Sequence, residues 1–145
     1  MKAGIAYNDA VIHWSRNRRT KAMNKKRLEA YSNAWNAHDI DRIMAFMTED
    51  CIFETGGGTE KFGTRYEGFE AVRERFIEVW TDYPDVKFEN ASHFVQGNFG
   101  CSEWTFVGTS KNGVKMERNG CDLFTFENGK IKSKRSYVKN RPVRS

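Results

Sequence analysis

The stretch from residue 86 to residue 139 constrains this chain more than any other. It divides into four runs, roughly 86–96, 99–108, 114–127 and 130–139, separated by Gly97-Asn98, Lys111-Asn112-Gly113 and Asn128-Gly129. Asn-Gly between alternating apolar and polar residues is the strongest short-range hairpin signal, because both turn positions need a positive φ. The four runs therefore read as an antiparallel meander, and a sheet of that length has a face that other elements must cover.

The covering elements precede it. From Asn24, KKRLEAYSNAWNAHD sets Leu28, Tyr31 and Trp35 at spacings of three and four, one apolar stripe on a helix. Asn36-Ala37-His38 interrupts it, with His38 read as a capping residue. Asp39 suits the N-cap of a second helix, DIDRIMAFMTED, with Ile40, Ile43, Met44 and Met47 inward. CIFET, 51–55, reads as a short strand and GGGTEKFG, 56–63, as a mobile loop. Those glycines lack both the strand-to-helix context and the Lys-Ser/Thr of a phosphate loop. Gly68 opens a third helix, GFEAVRERFIEVWTDY, whose stripe is Phe69, Val72, Phe76, Val79 and Trp80, and Pro84 lies beyond its end. The expected fold class is α+β: a curved, mostly antiparallel sheet with three helices covering its concave face, in one domain over 23–145. Residues 1–22 read as a basic extension outside it, with AYNDAVIHW as a short helix. Helices over the mouth of a curved sheet leave a hollow, and such hollows commonly hold ligands.

The net charge of +5 conceals an uneven distribution. Residues 1–27 carry eight Lys/Arg against one acid, and residues 130–145 seven against none, whereas residues 28–129 carry nine against eighteen acids. The body is acidic and both ends are basic. Basic ends can be an electrostatic footprint for nucleic acid, but an acidic body without an aromatic-interleaved basic strand points away from it. Solubility, or pairing with an acidic partner face, is the expected role of the ends. No apolar run approaches membrane-spanning length, and the opening residues lack the apolar core of a signal peptide. Cys51, Cys101 and Cys121 form no CxxC spacing, which argues against a disulfide framework or a zinc site. The expected compartment is a reducing one, the cytoplasm.

The segments "AYSNAWNAHDIDRIMAFMTEDCIFE", "YEGFEAVRERF", "SEWTFVGT" and "GCDLFTFENGKI" together resemble the SnoaL-like branch of the nuclear transport factor two-like superfamily. Ketosteroid isomerases, polyketide cyclases and limonene epoxide hydrolases share its fold. The resemblance covers about residues 24–140. It implies a cone-shaped roll, an apolar pocket, and a homodimer formed through the outer sheet face.

Within "GCDLFTFENGKI", alternation groups Asp122 with Phe124 and Phe126, an acid among aromatic rings, and leaves open which face lines the hollow. Desolvation would raise the pKa of such an acid, and a neutral carboxyl can donate a hydrogen bond to an enolate-like oxygen. On the ketosteroid isomerase pattern, Asp122 falls at the Asp and Tyr31 at the Tyr of the oxyanion pair. These two are the expected catalytic residues. The competing reading is a structural Asp satisfied by a backbone amide or an Arg. Trp35, Phe53, Trp80, Trp104 and Phe124 are the expected apolar walls.

Thr55 is expected beside the substrate, at the position where those isomerases place their general base, and a hydroxyl is a poor base. Glu54 alternates to the opposite face. Arg135-Ser136-Tyr137-Val138-Lys139 stands where epoxide hydrolases place acids. Three scattered His give no metal site, and neither metal nor cofactor is implied. Two functions follow: a cofactor-free isomerase, cyclase or dehydratase acting on an apolar carbonyl compound, or a non-catalytic ligand-binding or dimerisation module. Binding of nucleic acid or an acidic partner through the basic ends comes third.

Overall fold

The computed structural model describes residues 21–142. The short helix expected within AYNDAVIHW lies outside the described residues. Helix α1 is Lys25–Asn36, α2 Ile40–Ala45, strand β1 Met47–Glu54, β2 Arg65–Glu67, α3 Phe69–Asp82, β3 Lys87–Gln96, β4 Phe99–Thr109, β5 Lys115–Glu127 and β6 Lys130–Val138. The strands form one sheet in the order β2-β1-β6-β5-β4-β3. The fold is α+β, a cone-shaped roll of one curved sheet with the three helices on its concave side.

Local chemistry sets the elements. Asn24 caps α1 by accepting from the Arg27 amide, and Asp39 caps α2 by accepting from the Arg42 amide, 2.9 and 3.1 Å. At the β5–β6 turn Asn128 has φ 51° and Gly129 φ 73°, the two positive values that a two-residue hairpin demands. Leu28, Tyr31 and Trp35 of α1, Ile43 and Met44 of α2, and Val72 and Phe76 of α3 pack on Phe53, Phe124, Phe126 and Ile131 of the sheet. Burying aromatic and aliphatic side chains of this size stabilises the fold by about 1.5–3 kcal/mol each.

Three features differ from the sequence reading. Helix α2 stops at Ala45, and the strand starts at Met47, four residues before CIFET. Met47 fits the helical stripe at i+4 from Ile43, but it pairs with Ile131 of β6, whose amide donates to the Phe46 carbonyl at 2.7 Å. Strand pairing overrides the period. The segment after the glycine-rich loop returns as β2, antiparallel to β1 through Phe53↔Tyr66. The β1–β6 pairing is parallel, which makes the sheet mixed. Along α3 only Val72 and Phe76 are fully buried, since the helix covers an open mouth rather than a closed core.

Candidate functional site

Alternation along β5 puts Asp122, Phe124 and Phe126 on the concave face, all buried, and leaves Cys121, Leu123 and Thr125 half-buried on the other. Asp122 stands in register with Ser102 of β4 on one side and Ser136 of β6 on the other. Its carboxylate accepts three side-chain hydrogen bonds. Trp104 Nε1 donates to Oδ2 at 2.9 Å, while Lys134 Nζ and the Ser136 hydroxyl donate to Oδ1 at 2.9 and 2.5 Å. Lys134 also reaches Ser136 Oγ at 3.1 Å. Its ammonium lies 4.7 Å from the Phe53 ring centroid and 5.7 Å from that of Trp35, distances at which a desolvated cation gains from aromatic faces.

Trp104 reaches the acid because β5 carries glycine opposite it. Trp104 and Gly120 are paired in register, and a Cβ at residue 120 would sit 2.5 Å from Trp104 Cη2. The indole lies across the glycine and delivers its N–H two residues further along the strand. This supplies a reason for the Gly in "GCDLF" that a sequence motif alone does not.

Two spaces meet here. A cavity of about 700 Å³ opens between α3, the loop after β1 and the concave sheet; Trp35, Phe53, Thr55, Trp104, Lys134 and Ser136 are among its walls. A void of about 20 Å³ lies behind it, lined by Tyr31, Ser102, Asp122 and Phe124. Trp35, Phe88, Trp104 and Lys134 border both, so they form the partition. Of the residues expected from sequence, Trp35, Phe53, Thr55 and Trp104 line the large cavity, while Asp122, Tyr31 and Phe124 face the small void. Trp80 borders neither. Its ring stacks on His38 with centroids 5.0 Å apart and meets Trp35 edge to face. The Thr55 hydroxyl donates to the Gly57 carbonyl at 2.6 Å and accepts from the Thr64 amide at 2.9 Å, so it ties the glycine-rich loop together.

Tyr31 is buried edge-on between Phe46 and Phe124. Burial holds its hydroxyl well above the usual phenol pKa, moderated by the nearby Trp35 indole, and its oxygen makes no hydrogen bond of ordinary geometry among the described residues. His93 Nδ1 pairs with Ser102 Oγ at 2.7 Å, and burial lowers its pKa. His38 occupies the α1–α2 turn with φ 54°, and its Nε2 donates to the Val86 carbonyl at 3.1 Å. Glu54 pairs with Arg65. Among the described residues no cluster of three or more His, Cys, Asp or Glu could hold a metal.

Sequence reasoning missed Lys134, the cation that joins the acid to the cavity. Counting in twos from the buried Ile131 puts Ser133 and Arg135 inward. A bulge between the Phe126↔Ile131 and Thr125↔Ser133 pairs shifts β6 by one residue, and Lys134 and Ser136 turn inward instead.

A curved sheet roofed by helices, with a cavity and a polar pair buried at its wall, is a pocket-bearing roll of the nuclear transport factor two-like kind. The SnoaL-like domain family matches residues 28–134, and the chain belongs to it. Among solved structures, it is similar to a polyketide cyclase-like protein of Pseudomonas putida KT2440, with 19% identity, coverage of 82% of this chain and 93% of that one, and TM-score 0.73. It is also similar to an NTF2-like protein of Burkholderia xenovorans LB400, with 15% identity, 81% and 93% coverage, and TM-score 0.68. TerC co-crystallised with polyporic acid shares 19% identity over 79% of this chain and 89% of its own, with TM-score 0.67. No curated protein matches the chain. Identities this low establish the fold alone. No helix among the described residues is long and apolar enough to cross a membrane.

Proposed function

We propose that this protein takes an apolar carbonyl compound into the 700 Å³ cavity and acts on it without a cofactor, as an isomerase, cyclase or dehydratase. The observation that carries the reading is Lys134. Its ammonium is held by Asp122 and Ser136 at the wall of a cavity otherwise faced by Trp35, Phe53 and Trp104. A fixed cation in an apolar site stabilises negative charge as it develops on a substrate oxygen, and a preorganised one does so without reorganising. Asp122 serves as the positioning residue. Its oxygens are occupied as acceptors, so the donor toward substrate is Lys134, with Trp104 and Ser136 fixing the acid behind it. Tyr31 contributes apolar wall to the void on the far side of the partition.

Co-crystals of TerC with polyporic acid, and of a ketosteroid isomerase-like protein of Catenulispora acidiphila with trimethylamine, support small-molecule ligands on this fold. The test is deuterium uptake from D₂O at carbons α to the carbonyl in a panel of cyclic ketones and enones. Solvent admitted to the cavity takes the α proton and returns deuterium to carbon while Lys134 stabilises the enolate oxygen, so exchange faster than in buffer, and lost in Lys134→Met, is expected.

A second reading has its own observation. Among the described residues the one carboxylate lining the cavity is Asp82, and it is paired with Lys111 at 3.0 Å; no imidazole lines it. A pocket without a free base suits a non-catalytic binding module, and binding without exchange would establish that reading. In either case we propose assembly as a homodimer through the outer sheet face, where Phe94, Phe99 and Tyr137 are exposed, rather than partnership with nucleic acid or a membrane.

A further inference from the structure

The polar lining of the cavity has one dominant sign. Arg75, Arg118, Lys134 and Lys139 face it against the single carboxylate of Asp82. Arg75 and Arg118 come from the acidic stretch 28–129, which carries eighteen acids and nine bases, while Lys134 and Lys139 come from the basic segment 130–145.

Ion pairing does not cancel it. Asp82 is paired with Lys111 outside the cavity, and Lys134 with Asp122 behind it. Arg75 shares its charge with Glu78 through Nη1 at 3.0 Å, while its Nε is buried without a hydrogen-bond partner. Arg118 and Lys139 make no ion pair among the described residues; Arg118 reaches only the Arg141 carbonyl, at 3.4 Å. Two unpaired cations and one half-committed guanidinium thus remain, with no unpaired carboxylate among the described lining residues.

The wall between them is aromatic. Phe53 and Tyr66 stack with centroids 6.3 Å apart. Lys134 lies 4.7 Å from the Phe53 centroid, and the Arg75 guanidinium 5.9 Å from that of Tyr66. The two rings thus offer an apolar face with an ammonium beside one and a guanidinium beside the other. A cleft of one sign with low-dielectric walls concentrates counter-ions of the other, and guanidinium groups match carboxylate and other oxyanions with two donors each.

We infer that the ligand is an organic anion: a flat apolar body bearing a carboxylate, enolate, phenolate or comparable acidic oxygen, held by Arg75 and Arg118 with its body against Phe53 and Tyr66. This rests on the pocket reading proposed above and narrows the compound class.

The experiment uses two fluorescent probes with the same body, the anionic 1-anilinonaphthalene-8-sulfonate and the neutral N-phenyl-1-naphthylamine, on the full chain. The sulfonate is expected to bind about tenfold more tightly at low salt, to lose that advantage as salt rises, and to be displaced by the neutral probe. In Arg75→Met the advantage shrinks while the affinity of the neutral probe holds. Arg118→Met gives the same reading should Arg75→Met fail to fold. Equal affinities, or an advantage that both variants retain, would overturn the anion inference and leave the cavity reading intact. Sulfonate binding that the neutral probe does not displace would place it on the basic ends and also overturn the inference. If neither probe binds, the cavity reading fails and the inference with it.

Discussion

Replacing Lys134 by Met tests how far the site depends on its buried ion pair. The Lys134 and Asp122 side chains are each 7% exposed, and Asp122 faces only the small void, so its charge gains little water once Lys134 is gone. Met keeps most of the lysine stem and its packing on Phe53 and Trp35, which makes the loss chiefly electrostatic. Asp122 retains the Trp104 and Ser136 donors but becomes a buried carboxylate with no cation. Removing one partner of a buried pair costs about 3–5 kcal/mol, and the two surviving donors argue for the lower end, about 3 kcal/mol. For a domain of this size that lowers Tm by roughly 10–15 °C. Adding Asp122→Asn removes the stranded charge while leaving an acceptor for Trp104 and Ser136, and is expected to regain about 2 kcal/mol. Urea unfolding followed by tryptophan fluorescence at pH 7, on wild type, both single variants and the double variant, measures the cycle. Lys134→Met within about 1 kcal/mol of wild type, or a double variant no more stable than Lys134→Met, would show that the two charges do not depend on each other.

Gly120→Ala forces a methyl against Trp104 and should cost about 1–3 kcal/mol with a changed indole emission; a silent substitution would show that the ring does not need that glycine. Tyr31→Phe removes a buried hydroxyl without a partner, so stability should stay within about 0.5 kcal/mol of wild type or rise, and a loss above about 1.5 kcal/mol would mean the hydroxyl is bonded. Burial lowers the His93 pKa. The unfolded chain therefore binds the proton first on acidification, and the stability that neutral His93 contributes is full above about pH 6.5 and lost as pH falls through that value toward the folded pKa. An NMR titration of His93 with a midpoint at or above 6.5 contradicts this sign. Sedimentation equilibrium should show a dimer that Phe94→Asp weakens, and a monomer at all concentrations would remove the homodimer proposal.

The elements that were legible in the sequence are those set by local chemistry. Asn128-Gly129 could be read as a hairpin because two positive φ angles leave few other residues suitable, and the α1 stripe of Leu28, Tyr31 and Trp35 is one face of one helix. Elements set by long-range pairing were hidden. Met47 carries a helical period and a strand fate, decided by Ile131 more than eighty residues later. Strand β2 is three residues long and exists because β1 has an edge to pair. At the site, alternation correctly grouped Asp122 with Phe124 and Phe126, but could not show that its oxygens are occupied by Trp104, Lys134 and Ser136. The bulge in β6 concealed Lys134, since a single inserted residue reverses the parity of everything after it. The cationic lining was equally hidden, because Arg75 comes from α3, Arg118 from β5 and Lys139 from the segment after β6, and they meet only in the folded cavity.

The proposed function requires that ligands enter the cavity against the Trp104–Asp122–Lys134 wall. The indole N–H signals of ¹⁵N-tryptophan-labelled protein test it most directly during titration with a flat apolar carbonyl acid. Trp104, whose N–H is bonded to Asp122 and whose ring lines the cavity, should move most, with Trp35 following and Trp80 moving least. A ligand that shifts Trp80 while leaving Trp104 in place, or saturating ligand that shifts neither Trp35 nor Trp104, would contradict it.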